Sequence, residues 1–150
     1  YLERTGLFDE AHFAYLEDVD IGYRARLAGW RNRIEPEAVV YHVGSATSGS
    51  RYNPFKIACS ARNNVYLLYK NMPLGQILLN LPLLTMGFVT KQMFFAAKGY
   101  GKIYARGLWE GLSLCRTREA RARKIPFRFA NIKYYVQIQL ELWRNVFYCH

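Results

Sequence analysis

Cysteine is scarce in this chain, with three residues in 150, at positions 59, 115 and 149. An odd number without metal-ligand spacing excludes a disulfide framework and suits the reduced thiols of a cytosolic protein. Acidic residues are also few: 11 Asp and Glu stand against 21 Lys and Arg, for a net charge of +10. The deficit is uneven. Residues 1–50 hold five Lys/Arg and eight Asp/Glu, a net of −3, whereas residues 51–150 hold sixteen and three, a net of +13. A basic half of that size implies an anionic partner: a membrane surface, a nucleic acid or a phosphate-bearing substrate.

What is present is concentrated between Phe13 and Trp30. Glu17, Asp18 and Asp20 place three carboxylates in four positions. Adjacent anions repel, so such a cluster needs a metal, a proton, a helix N-terminus or nearby arginines. Val19, Tyr23, Leu27 and Trp30 recur at helical spacing, and Gly29 follows where a left-handed cap is wanted. The acids therefore open a helix, and Arg24 and Arg26 follow within two turns. This pattern fits a reactive acidic site and fits equally a negatively charged helix start paired with its own arginines.

After the helix, Arg31 to Ile34 reads as a short strand. Pro36 and Glu37 turn the chain into a second apolar strand, Ala38 to His42. The residues from Val43 to Ser50 form a small, hydroxyl-rich loop. Its Ser45 and Thr47 suit it to surround a sugar or phosphate. A histidine ending a buried strand beside such a loop is either a metal ligand or a hydrogen-bonded structural residue.

From Gly6 to Gly49 the residues resemble the second half of the catalytic domain of family-2 inverting glycosyltransferases, especially rhamnosyltransferase-like bacterial members. The likeness rests on Gly6-Leu7-Phe8-Asp9-Glu10, on the aromatic stretch ending in Glu17-Asp18, and on Val19-Asp20-Ile21 with Arg24. It continues through Tyr41-His42-Val43-Gly44-Ser45, Arg62-Asn63-Asn64 and Lys70-Asn71-Met72-Pro73. The resemblance implies an α/β fold: part of a GT-A, Rossmann-like catalytic domain, followed by a mostly helical membrane-associating region. It implies a nucleotide-sugar donor such as dTDP-rhamnose, and a divalent cation, Mg2+ or Mn2+. By the family's pattern Asp18 matches the general base that takes the acceptor's proton, a role open to a carboxylate within hydrogen-bond reach, and Glu17 helps to position it. His42 matches a residue near the metal; Arg24 is placed to neutralise the leaving phosphate charge, and Ser45 and Thr47 of the hydroxyl-rich loop are the expected contacts of the donor diphosphate. The family's first half, with its aspartate-x-aspartate element, has no counterpart before Gly6. The expectation is a C-terminal fragment that is inactive in isolation.

The second half supports the membrane among the anionic partners. Asn53-Pro54 opens a helix with an apolar stripe from Ile57 to Tyr69. Leu74 to Thr90 is seventeen residues without a charge, interrupted by Gln76, Asn80, Pro82, Thr85 and Gly87. An in-plane or re-entrant helix fits better than a clean span, and a soluble core helix is the alternative. From Lys98 to Lys133 ten Lys/Arg face only Glu110 and Glu119, densest from Arg116 to Lys124. Tyr100, Tyr104 and Trp109 lie between the apolar and basic stretches, as interfacial aromatics do. Nucleic-acid binding is not expected, because neither an aromatic strand platform nor a recognition helix is evident. The end of the chain alternates as a strand from Val136 to Leu142 but also has a helical face, and helix is the expectation.

These readings place the acceptor-side part of a catalytic domain at 1–72 and a basic, helical, membrane-associating region at 73–150. The anticipated activity is glycosyl transfer to a glycan or lipid-linked glycan in cell-surface polysaccharide assembly, on the cytoplasmic face of a bacterial inner membrane. The competing class is a non-catalytic, basic membrane-surface or interaction module.

Overall fold

Asn53 caps a helix by accepting the Lys56 N–H at 2.8 Å, and Pro54 takes the first helical position, where its missing N–H leaves nothing unpaired. The computed structural model describes residues 6–41 and 52–147, and six α-helices occur among them. They are α1 (Glu17–Leu27), α2 (Pro54–Asn71), α3 (Leu74–Ala97), α4 (Gly101–Leu114), α5 (Arg118–Arg123) and α6 (Ile132–Phe147). Short 3-10 turns cover Glu10–His12 and Phe129–Asn131.

The expected α/β fold is not what forms: no strand is present among the described residues. Arg31–Ile34 and the described part of Ala38–His42 lie open instead, with Ile34, Val39, Val40 and Tyr41 exposed. A short apolar run becomes a strand only when a neighbouring ladder satisfies its backbone groups. The described elements around these segments are helices, which offer no such edge.

Helix α2 is the central pillar, and its most extensive contact is with α4, across the anticipated boundary at residue 72. The approach is close because α4 presents glycines. A Cβ on Gly107 would sit 2.5 Å from the Ala58 carbonyl oxygen, and one on Gly111 would sit 2.6 Å from that of Arg62. Ile57, Ala61 and Tyr104 form the core between them, with Phe88 and Phe95 of α3 packed against it. A second apolar cluster joins Leu27 of α1 to Tyr135 and Ile138 of α6, and an Arg26–Glu141 ion pair runs beside it.

Helix α3 is inside out. Leu74, Leu78, Leu81, Met86, Val89 and Met93 are exposed, while Gln76 and Asn80 are buried. The buried amides serve as glue between helices. Asn80 Nδ2 donates to Gln139 Oε1 at 2.7 Å, Gln139 Nε2 donates back to Asn80 Oδ1 at 2.8 Å, and the Trp143 indole joins at 3.2 Å. Tyr23 of α1 donates its hydroxyl hydrogen to Gln76 Oε1 at 2.7 Å. By length and composition α3 could cross a membrane, with a mean hydropathy of 1.3 in its most apolar window and 6% of that window buried.

Candidate active site

The acidic turn is held from beneath by one face of α2. Asn63 Nδ2 donates to the carbonyls of His12, Ala14 and Tyr15 at 2.7–2.8 Å. Arg62 donates to those of Ala11 and His12 at 2.9 and 3.0 Å. These bonds fix a backbone that adopts positive φ at Phe13, Tyr15 and Leu16, a conformation costly for residues with a Cβ. Leu16 thereby ends the turn in a left-handed conformation, and α1 begins at Glu17 with Glu17, Asp18 and Asp20 in its first turn.

Beneath the turn lies a buried charge cluster. Asp20 is fully buried. It accepts from Arg24 Nε at 3.0 Å, Lys70 Nζ at 2.9 Å and Asn71 Nδ2 at 2.8 Å. Asp9 caps the 3-10 turn by accepting the Ala11 N–H, and it also accepts from the Tyr66 hydroxyl at 2.8 Å. Its remaining partners are Lys70 at 2.8 Å and Arg123 at 2.6 Å. Burial alone would raise both carboxyls. Hydrogen bonds from Lys70, Ala11 and Tyr66 instead hold Asp9 well below the usual carboxylate range. Asn71, Lys70 and the Arg24 charge do the same for Asp20. Such acids stay ionised and cannot exchange protons near neutral pH.

His12 is fully buried, tilted against the Tyr66 ring at 5.1 Å. Neither of its ring nitrogens has a hydrogen-bond partner. Burial, ahead of the opposing attraction of Asp20, pushes its pKa down and favours the neutral ring.

The anticipated site residues fall in different surroundings. Asp18 is exposed on the first turn of α1, its carboxylate accepting the Val19 N–H at 2.8 Å. Glu17 is half-buried, with Oε2 lacking a partner. Arg24 is buried and turned inward, bonding Asp20 and the carbonyls of Gly6 and Leu7. His42, Ser45 and Thr47 lie outside the described residues. Asp9, Tyr66, Lys70 and Asn71 were not singled out as site residues, although Asn63, Tyr66 and Lys70 follow one another at the spacing of a single helical face.

A divalent cation does not fit at Asp9 and Asp20. Asp9 and Asp20 already hold Lys70, Arg24 and Arg123, which a cation would have to displace. No group of three His, Cys, Asp or Glu is placed to bind a metal among the described residues.

No family model and no solved structure matches the chain. Over 46 residues it is 44% identical to N-acetylglucosaminyl-diphospho-decaprenol L-rhamnosyltransferase of Mycobacterium tuberculosis, in strains CDC 1551 / Oshkosh and ATCC 25618 / H37Rv. The likeness is short and partial. The matched stretch covers 31% of this chain and 15% of the length of those relatives.

Proposed function

We propose that the chain is the acceptor-side part of an inverting glycosyltransferase that passes a sugar from a nucleotide-activated donor to a lipid-linked glycan. The observation that carries this reading is Asp18, exposed on the first turn of α1 beside the half-buried Glu17 and braced from beneath by buried charges, together with the likeness to a rhamnosyltransferase. An exposed carboxylate is free to accept a proton, whereas Asp9 and Asp20 are locked in ion pairs. Asp18 takes the proton of the acceptor hydroxyl as its oxygen bonds to the anomeric carbon. The bond from that carbon to the nucleotide diphosphate breaks, and its electron pair leaves with the diphosphate. One displacement inverts the centre, and no covalent enzyme intermediate is needed. The inside-out α3 and the basic run from Arg116 to Lys124 support work at an anionic membrane surface, on its cytoplasmic side, where nucleotide-sugars are at hand.

In the intact protein, Asp18→Asn should lower turnover by a factor of about 100 to 10,000, the scale of a lost general base, while donor binding is retained. Unchanged turnover removes Asp18 as the base. The second reading is a non-catalytic membrane-surface module, and one observation favours it: Asp18 lines neither the cavity of about 940 Å³ beside Arg24 and Lys70 nor the apolar groove of about 510 Å³ beside Gln76. Absence of donor-dependent transfer by the intact protein decides for that reading.

A further inference from the structure

Two groups at the ends of the acidic turn each lack what the other can supply. His12 closes the 3-10 turn and is fully buried, and neither of its ring nitrogens has a hydrogen-bond partner. A neutral imidazole carries one N–H, so a donor is stranded there. Glu17 opens α1, and its Oε2 is shut away from solvent, also without a partner. Each unmet polar atom costs stability, and a stranded donor and a stranded acceptor flanking one turn call for a role.

The surroundings leave these two to each other. On α2, Tyr66 lies against the imidazole at 5.1 Å, but its hydroxyl donates to Asp9. Lys70 is held between Asp9 and Asp20. On α1, Asp20 already accepts from Arg24, Lys70 and Asn71. The charges felt at the imidazole are those of Asp9, Asp20, Lys70 and Glu17. Of the three acids among them, Glu17 alone keeps a buried oxygen without a partner. The backbone between His12 and Glu17 takes positive φ at Phe13, Tyr15 and Leu16. Asn63 and Arg62 grip residue 12 by its carbonyl oxygen, which leaves the ring without that duty.

We infer that His12 is a positioning residue of the acidic turn: its ring N–H donates to the Glu17 carboxylate when acceptor is engaged, and holds that side chain inward. Of the turn's three acids Asp18 alone is exposed, and Asp20 is sealed below. With Glu17 drawn in, Asp18 meets the acceptor hydroxyl without a second carboxylate competing for its proton. The half-buried Glu17 makes this move by side-chain rotation at the start of its helix. The inference rests on the glycosyl-transfer reading for its effect on turnover, whereas the pair itself stands on the two unmet atoms.

The test uses the intact protein. His12→Phe keeps a ring against Tyr66 and the carbonyl that Asn63 grips, and it removes two unmet nitrogens, so Tm at pH 8 should hold or rise. Turnover should still fall by about tenfold or more, the scale of one hydrogen bond to a charged group, with KM for the donor unchanged. The amides of His12→Asn and His12→Gln mimic the two ring nitrogens in turn, and one of them should restore much of the loss. In a Glu17→Met background His12→Phe should cost no more than about twofold. Nitrogen NMR of the imidazoles gives a readout independent of transfer. Glu17→Met should lower the pH at which the His12 signal titrates by about half a unit or more, that signal being the one missing from His12→Phe. Unchanged turnover in His12→Phe, a Tm that falls with turnover and is rescued by neither amide, additive losses with Glu17→Met, or an unmoved titration overturns the inference. Turnover indifferent to Asp18→Asn sinks the base and leaves the nitrogen signal to judge the pair. Asp18-dependent turnover with an unmoved His12 signal sinks this inference alone.

Discussion

Lys70 lies between Asp9 and Asp20, 2.8 Å from one carboxylate and 2.9 Å from the other. It comes from the last turn of α2, Asp20 from the first turns of α1, and Asp9 from the loop before it. A single ammonium therefore clasps three parts of the chain. Lys70→Met should destabilise the fold by about 3–5 kcal/mol, because it leaves two buried anions short of a cation. Urea unfolding followed by circular dichroism reads this, and a loss below about 1 kcal/mol would show that Arg24 and Arg123 suffice.

Acid should weaken the fold in two stages. His12 has a folded pKa lowered by burial, so the unfolded chain binds its proton first. Stability rises with pH wherever the unfolded state binds more protons, and this part is lost as pH falls below about 6.5. The carboxyls of Asp9 and Asp20 are also held low in the fold. Their contribution is complete above about pH 4 and disappears as pH falls toward their lowered folded values. His12→Phe should abolish the first stage and leave the second, in unfolding free energies measured from pH 7 to pH 3. A first stage that survives this change assigns it to another group.

The α2–α4 contact has no room for a side chain at Gly107. Gly107→Val should cost about 1–3 kcal/mol through overpacking, seen as a lower Tm. The same change at Gly87, where a Cβ meets nothing within 4 Å, serves as the control and should shift Tm far less. Equal shifts would mean that helix propensity, not packing, sets the loss.

Asn80 and Gln139 invite a double-mutant cycle. Asn80→Leu leaves the buried Gln139 amide unpaired, at a cost of about 1–3 kcal/mol, whereas Gln139→Leu leaves Asn80 the Gln76 carbonyl and the Trp143 indole and should cost less. The double change removes both partners and should recover most of that loss. Additive losses would mean that the reciprocal pair contributes no coupling.

Helical features were plain in the sequence wherever local chemistry decides them. Gly29 takes φ +86, as its place after Leu27 suggests, and the helix opened by Asn53-Pro54 and the break at Met72-Pro73 fall where local chemistry puts them, whereas the stretch of α6 alternated like a strand as well as offering a helical face. The strands were misread because Ala38–Val40 has the composition of a strand, and composition carries no information on whether a ladder is at hand. The braces under the acidic turn were half legible. Arg24 is one helical turn from Asp20 and their pairing follows from that, but Lys70 and Asn71 are some fifty positions further along, and no local pattern announces that they meet Asp20. Gln76 and Asn80 looked like interruptions of an apolar run; only the packing of α6 gives them partners.

Arg123 belongs to the positively charged stretch that begins at Arg116, yet its guanidinium ends on Asp9, within the loop that precedes α1. If the proposed anionic surface holds that stretch, it also draws on the loop, through one side chain. On the proposed membrane reading, the posture of Glu17 and Asp18 would then answer to how that stretch is held, through the Arg123–Asp9 pair alone.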